Sequence, residues 1–151
     1  MKRVLVDADS CPKRVRGYLL SRAKKNLIEL YFIANKEIKA DEKSAPPESF
    51  KMIVCPQNQQ AADNWILQNA APGDIIITRD IPLADALLQK NFLVMNDRGK
   101  IFDKQNIVRA LKERELSMQM SELGLGTKRR DSYGQKEFEL FAECFNKEIA
   151  R

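Results

Sequence analysis

Histidine is absent from the sequence. Catalytic triads that need an imidazole, cysteine–histidine nucleophiles and metal sites with histidine ligands are therefore excluded. The three cysteines, Cys11, Cys55 and Cys144, are odd in number and widely spaced. This pattern argues against both a disulfide framework and a zinc site. Any chemistry must depend on carboxylates, cations, hydroxyls or a bound metal ion.

Long apolar runs are also absent. No stretch approaches the roughly 20 apolar residues of a membrane-spanning helix, and the apolar run near the N-terminus is too short for a signal peptide. We therefore expect a cytoplasmic protein that has no membrane partner. A chain of 151 residues suits one domain, so we expect a single domain over 1–151, with a C-terminal helical extension from about 122.

The net charge of +5 is unevenly distributed along the chain. The segment from residue 2 to residue 25 contains eight basic residues and only two acidic ones, Asp7 and Asp9. Such a basic segment suits a polyanionic partner such as nucleic acid, although a solvated helix face and a basic loop explain it equally well. The basic residues are Lys2, Arg3, Lys13, Arg14, Arg16, Arg22, Lys24 and Lys25, with a second cluster at Lys128, Arg129 and Arg130.

Apolar patterning predicts alternating strands and helices. Ser10 and Pro12 are the expected cap and first-turn residue of the first helix. The alternation predicts a three-layer α/β fold, with a mostly parallel sheet of about five strands and helices on both faces. The expected strands are 3–6, 28–34, 50–55, 74–78 and 92–95, with a small hairpin at 100–102; the expected helices are 10–26, 57–70, 81–90, 103–122 and a C-terminal one packed on the sheet.

Carboxylates follow two of these strands. In the stretch VLVDADSC, Asp7 and Asp9 come at the end of the first strand, and Asp80 lies two residues beyond Thr78. Because ligand crevices of open parallel sheets lie at the carboxyl ends of the strands, these aspartates face one crevice if the two strands are neighbours. Asp63, on the preceding helix, can reach the same rim. Turn and capping chemistry is the alternative explanation for Asp7, Asp9 and Asp80, and an ordinary exposed helical aspartate is the alternative for Asp63.

Several carboxylates in one crevice cannot all stay ionised without a counter-cation. Oxygen ligands favour hard ions such as Mg²⁺ or Mn²⁺, which commonly bind substrate phosphates as well. Such an ion can polarise a phosphodiester and lower the pKa of a bound water. We therefore expect Asp7, Asp9, Asp63 and Asp80 to hold Mg²⁺ or Mn²⁺.

Four motifs carry a resemblance to a known family. VDADSCP, AADNWI, GDIIITRDIPLA and NDRG resemble the motifs of the bacterial YaiI/YqxD family, which is regarded as PIN-like. AADNWI followed by IIITRD is also similar to the Asp-x-x-Ile and Thr-x-Asp segments of PIN-domain ribonucleases. The resemblance implies a PIN-like fold, with Asp7, Asp63 and Asp80 as metal-binding acids and Thr78 as the hydroxyl residue. PIN nucleases usually carry another acid on an earlier helix, and Asp9 is the candidate substitute here.

The leading hypothesis is a metal-dependent ribonuclease in which Asp7, Asp80 and Thr78 are catalytic. One alternative is a PIN-like RNA- or protein-binding module that has weak or no activity. A second is a phosphatase similar to haloacid dehalogenases, with Asp7 as its nucleophile. The sequence is also compatible with a homo-oligomer. The candidate RNA-binding residues are Lys13, Arg14, Arg16, Arg79, Arg98, Lys128, Arg129 and Arg130.

Overall fold

A computed structural model describes residues 1–36, 49–58, 60–125 and 132–151. It contains a parallel sheet with the strand order β3-β2-β1-β4-β5. The strands are β1 (Lys2–Asp7), β2 (Ile28–Ala34), β3 (Phe50–Val54), β4 (Ile75–Ile77) and β5 (Leu93–Met95), and the helices are α1 (Lys13–Lys24), α2 (Ala61–Asn69), α3 (Ile81–Gln89), α4 (Lys104–Glu122) and α5 (Gln135–Ile149).

The central strands are apolar on both faces, because helices cover both sides of the sheet. In β1, Val4 and Val6 point to one face and Leu5 points to the other, and all three are fully buried. In β4, Ile75 and Ile77 lie on the first face and Ile76 lies on the second. Each strand thus contributes side chains to two cores, as period-two alternation requires.

The two cores make the protein a three-layer molecule. On one face, α1 and α5 pack through buried side chains such as Leu19, Phe141 and Phe145. On the other face, α2, α3 and the first turns of α4 pack through residues such as Ile66 and Leu87. The expected α/β class, the central sheet of five strands and the packed C-terminal helices are therefore confirmed. The arrangement is consistent with a PIN-like fold.

The start of the first helix differs from its prediction. α1 begins at Lys13 with Pro12 in the N-cap position, and Ser10 belongs to a separate 3-10 turn, Ala8–Ser10. The Ser10 hydroxyl donates to Asp7 rather than accepting from the helix, so the predicted cap at Ser10 is wrong. The chain turns sharply after β1 because the 3-10 turn begins directly at the end of this strand.

Two other elements are shorter than predicted. Helix α2 begins at Ala61, after Asn58 accepts a hydrogen bond from the Gln60 backbone N–H. The expected hairpin is a single antiparallel bridge between Met95 and Ile101. In the described ranges, no helix is both long and apolar enough to cross a membrane. The predicted loop at 35–49 lies mostly outside the described residues.

Candidate active site

A crevice opens where the strand order reverses. β1 pairs with β2 on one side and with β4 on the other, so their carboxyl ends flank the switch point of the sheet. A cavity of about 320 Å³ lies there. All four predicted acids line it; the lining residues are Asp7, Asp9, Ser10, Asn35, Ala62, Asp63, Arg79 and Asp80. Their roles as ligands stay a prediction.

Asp7 forms the floor of the crevice. It is the last residue of β1, and only 6% of it is exposed. Its Oδ2 accepts hydrogen bonds from the hydroxyl of Thr78 at 2.8 Å and from that of Ser10 at 3.1 Å. Burial raises the pKa of Asp7, while these two hydrogen bonds oppose the rise. The strand thus places a carboxylate in a poorly solvated position where two hydroxyl donors fix its orientation.

Thr78 joins the ends of the two central strands. Its hydroxyl donates to Asp7 across the β1–β4 boundary and accepts the backbone N–H of Asp80 at 3.0 Å. Because Thr78 is 2% exposed, both bonds lie in a dry environment. Thr78 therefore orients the side chain of Asp7 directly and holds the backbone of Asp80. This contact gives a structural reason for the hydroxyl in the Thr-x-Asp motif.

Asp80 and Asp9 are each anchored by a backbone donor. Asp80 is the N-cap of α3, and its Oδ1 accepts the N–H of Leu83 at 3.0 Å. Asp9 Oδ2 accepts the N–H of Asn35, just beyond β2, at 2.8 Å. Asp9 itself is exposed. The sequence does not reveal the contact of Asn35, because a backbone N–H can donate from almost any residue type and leaves no mark in the sequence.

Asp63 is the most strongly perturbed acid of the crevice. It lies in the first turn of α2, is half-buried and shares a hydrogen bond with Asp80. Burial, together with repulsion from Asp80 and Asp7, raises the pKa of Asp63 to about 7. A protonated Asp63 can donate to the Asp80 carboxylate, and Asp63 keeps its proton up to about neutral pH. Such a shared proton is the usual response of crowded carboxylates that have no cation.

The crevice offers oxygen donors of the type that hard divalent cations prefer, but they do not form a closed cage. Within the described ranges, no group of three or more carboxylate or thiol side chains is arranged to hold a metal. Mg²⁺ commonly takes only one or two protein carboxylates and keeps several waters. The carboxylate oxygens and the Ser10 hydroxyl in the lining of the crevice are donors of the type that this mode of binding uses.

Arg79 supplies a cation at the rim. It lines the crevice, and 39% of its side chain is exposed. Its Nε donates to Asp97 Oδ2 at 2.6 Å, and Asp97 is almost completely buried. Asp97 lies in the NDRG turn, where an aspartate reads as turn chemistry, so sequence reasoning missed it. The buried carboxylate restricts the guanidinium to one edge of the crevice.

Of the other predicted RNA-binding residues, those in the described part of the chain do not line the crevice. Arg14 hydrogen-bonds to Gln135 and lies 4.4 Å from the Phe138 ring centroid, both on α5. Arg16 donates to the Cys11 carbonyl at 2.5 Å, and Arg98 lies 5.9 Å from the Tyr133 ring centroid. These contacts pack the three arginines against the protein, and RNA binding by them stays a prediction. Lys13 is exposed. The predicted residues Lys128, Arg129 and Arg130 lie outside the described residues.

Two features bear on the alternative chemistries. Burial raises the pKa of Cys11 to about 12, so this thiol stays protonated and is unsuited to nucleophilic attack. Phosphatases of the haloacid dehalogenase type also need a catalytic lysine besides their aspartates, and the described lining of the crevice includes no lysine. Carboxylates, one hydroxyl, one carboxamide and one guanidinium are the polar side-chain groups in the described lining of this crevice.

Comparisons with known proteins give one family. The family described as "Uncharacterized BCR, YaiI/YqxD family" matches residues 5–151. The chain is 36% identical over 149 residues to a UPF0178 protein of Treponema denticola, with 99% of this chain and 92% of the relative covered. It is 33% identical over 150 residues to a UPF0178 protein of Pseudomonas putida (strain GB-1), with 99% and 97% covered. No solved structure matches. The chain belongs to the YaiI/YqxD family.

Proposed function

We propose that this protein is a metal-dependent phosphodiesterase that acts on RNA. The observation that carries the proposal is the convergence of four aspartates in one crevice at the switch point of the sheet. Two of them, Asp63 and Asp80, share a hydrogen bond, and the pKa of Asp63 is raised to about 7. Crowding of like charges is unfavourable for stability, and its presence at a ligand crevice is typical of a functional site.

The acids have distinct roles in the proposed site. Asp7, Asp63 and Asp80 would hold Mg²⁺ or Mn²⁺, one or two of them directly and the rest through coordinated waters, with Asp9 at the outer edge. When bound, the ion would supply a Lewis acid for the phosphodiester and a lowered pKa for a coordinated water. Thr78 orients Asp7 through its hydroxyl and fixes the backbone of Asp80.

Arg79 is the proposed phosphate-binding residue. Its guanidinium lies at the rim, is partly exposed and is held by buried Asp97. A guanidinium in fixed orientation binds phosphate oxygens through two parallel N–H groups. The net charge of +5 adds a general attraction for a polyanion. We therefore expect a nucleic-acid backbone, which carries a row of phosphates, to bind better than a small molecule that carries a single acidic group.

Manganese titration by calorimetry tests the metal site. We expect the wild type to bind Mn²⁺ and the Asp7→Asn, Asp80→Asn double variant to lose that binding. Asparagine keeps the size of each side chain and still caps helices, so α3 should be retained. Asp85→Asn, which changes an acid of α3 outside the crevice lining, is the matched control and should bind like the wild type. Absence of wild-type binding at millimolar Mn²⁺ would refute the site.

Hydrolysis of a single-stranded RNA tests the activity. We expect cleavage that requires Mg²⁺ or Mn²⁺ and that falls by at least about 100-fold in Asp7→Asn, since the main oriented carboxylate is lost. The Asp85→Asn variant should cleave at the wild-type rate. Equal cleavage by wild type and Asp7→Asn would point to a contaminating nuclease and would reject the proposal.

An RNA-binding module without turnover is the second candidate. The observation that favours it is the open arrangement of the acids, since the described residues include no preformed group of three metal ligands. This candidate predicts RNA binding that persists in the presence of a chelator and in Asp7→Asn. It also predicts no cleavage with either metal. Filter binding and cleavage assays on the same RNA separate the two functions.

A further inference from the structure

Arg79 and Asp97 lie on neighbouring chain segments that leave the sheet side by side. The Thr78 backbone N–H donates to the Met95 carbonyl at 3.0 Å, which extends the pairing of β4 with β5 to the residue before Arg79. The ion pair then joins the two segments, with Arg79 Nη2 2.5 Å from Asp97 Oδ2. Asp97 does not line the described crevice, so it acts on the crevice through the guanidinium that it holds.

The turn that carries Asp97 is fixed from inside by Asn96. The Asn96 Oδ1 accepts the backbone N–H groups of Arg98 and Lys100, both at 2.9 Å. The Asn96 backbone N–H donates to the Lys100 carbonyl at 2.9 Å. An asparagine that accepts backbone donors farther along the chain stabilises a turn in this way. None of these bonds uses the carbonyl of Asp97.

Tyr133 holds the same turn from outside. Its hydroxyl donates to the Asp97 carbonyl at 2.5 Å, and its ring packs against the core on the α1 and α5 face of the sheet. Burial raises the pKa of Tyr133 to about 12, and repulsion from Asp97 adds to the rise, so the hydroxyl stays a donor at neutral pH. Tyr133 lies just before α5, and the backbone of Gly99 lies against that of Leu140 on this helix. The turn is therefore held against the start of α5.

The backbone and the side chain of Asp97 are fixed by different partners. Its carbonyl accepts from Tyr133, and its carboxylate accepts from Arg79. Only 2% of Asp97 is exposed, so both contacts lie largely away from water, where hydrogen bonds and ion pairs are strongest. A rotation of the Asp97 peptide unit would break the bond to Tyr133 and move the carboxylate that holds the guanidinium.

We propose that Tyr133 is a positioning residue for Arg79 and that it acts through Asp97. The role of Tyr133 rests on the proposed function, in which Arg79 binds RNA phosphate. Tyr133 does not line the described crevice, so it contacts neither the metal ligands nor the bound phosphate in this arrangement. A guanidinium that is already held in one orientation loses less freedom when it binds phosphate. Loss of the Tyr133 hydroxyl should therefore weaken RNA binding and leave metal binding unchanged.

Solvent exchange of the Arg79 Nε–H proton tests the positioning in the absence of RNA. This proton is donated to Asp97 Oδ2 at 2.6 Å, so its signal in ¹H–¹⁵N spectra should be protected, and Arg79→Lys identifies the signal by its loss. Tyr133→Phe should speed the exchange by about threefold to tenfold, the factor that corresponds to one neutral hydrogen bond. An unchanged exchange rate in Tyr133→Phe would overturn the proposal, whether or not the protein binds RNA.

Tyr18→Phe is the matched control for both measurements. The Tyr18 hydroxyl donates to Asn146 Oδ1 on α5 at 2.6 Å, so this variant also removes a tyrosine hydroxyl that contacts α5. It leaves the bond between Tyr133 and Asp97 in place. The exchange rate at Arg79 and the RNA affinity should both keep their wild-type values. Changes of equal size in Tyr18→Phe and Tyr133→Phe would indicate a general loosening of α5 and would contradict the proposed role.

Filter binding of a single-stranded oligouridylate in the presence of a chelator tests the consequence for RNA, because cleavage is then suppressed. Tyr133→Phe should raise the dissociation constant by about threefold to tenfold. Calorimetric binding of Mn²⁺ by Tyr133→Phe should match that of the wild type. Wild-type RNA affinity in Tyr133→Phe, together with faster exchange at Arg79, would show that the guanidinium is held there for a purpose other than RNA binding and would overturn the functional part of the proposal.

A double-mutant cycle tests whether Tyr133 acts through Arg79. In an Arg79→Ala background, Tyr133→Phe should cause no further loss of RNA affinity, because no guanidinium is left to position. A further loss of the same size would show that Tyr133 acts independently of Arg79 and would overturn the proposal. If Arg79→Ala alone binds RNA as tightly as the wild type, the phosphate-binding role in the proposed function is wrong, and the exchange measurement by itself decides whether Tyr133 positions the guanidinium.

Discussion

At the scale of single residues, the proton held by Asp63 makes stability depend on pH. The pKa of Asp63 rises from 3.8 to about 7 in the folded protein, so between these values the folded state holds a proton that the unfolded state has released. The stabilising effect of this proton is full below about pH 4 and is lost as the pH rises through 7. In metal-free buffer, we expect Asp63→Asn to be more stable than the wild type at pH 8, measured by thermal melting.

The slope of melting temperature against pH is the discriminating measurement. Between pH 5 and pH 8, the slope should be smaller in Asp63→Asn than in the wild type. It should not vanish, because burial raises the pKa of Asp7 in the same direction. Asp85→Asn should keep the wild-type slope. Identical slopes in all three proteins would mean that Asp63 does not hold the proton.

The convergence of the acids could be predicted because strand ends of a parallel sheet meet at one edge. Their fixed orientations could not be predicted. Asp7 is oriented by Thr78 and Ser10, and the Ser10 contact arises from a 3-10 turn that has no distinctive sequence pattern. Asp97 was missed for the same reason, since an aspartate in a turn gives no sign of the arginine that it holds.

At the scale of elements, the turn between β5 and α4 limits how closely α5 can pack. Gly99 has a φ of +80°, and a Cβ at this position would lie 2.3 Å from the Leu140 carbonyl oxygen. Gly99→Ala therefore combines backbone strain with a clash against helix backbone. We expect it to lower the free energy of unfolding by about 2 to 4 kcal/mol in urea denaturation.

Gly73→Ala separates strain from clash. Gly73 has a φ of +92°, but nothing lies within 4 Å of its added Cβ. This variant should lose only about 1 kcal/mol, the cost of a non-glycine residue in the left-handed region. Equal losses in the two variants would show that α5 yields at Leu140 and that its approach to the turn is not tight.

Element boundaries were predictable where a local side chain sets them. Asp103 caps α4 by accepting the N–H groups of Gln105 and Asn106, and Gly124 ends the helix with a φ of +73°; both signals are visible in the sequence. The start of α2 was placed too early, at residue 57, because the polar run QNQQ before Ala61 carries no clear boundary; there the Asn58 side chain accepts the Gln60 N–H before the helix begins.

At the scale of the whole molecule, the shared sheet should make the two cores unfold together. Trp65 on α2 belongs to one face, whereas Phe141 on α5 is buried on the other. Phe141→Ala removes a fully buried ring and should lower the free energy of unfolding by about 3 to 5 kcal/mol. β1 and β4 contribute side chains to both cores, so this loss should be felt on both faces of the sheet. Trp65 fluorescence and circular dichroism should report the same shifted transition in urea.

Leu140→Ala is the matched control for this prediction, since Leu140 lies on the same helix and is 48% exposed. It should change stability by less than about 1 kcal/mol. If Phe141→Ala shifts the circular dichroism transition but leaves that of Trp65 in place, α5 unfolds independently and the 122–151 region is a separate unit. Coincident shifts would instead show that the chain folds as one domain, because β1 and β4 contribute side chains to both cores and so join the two faces.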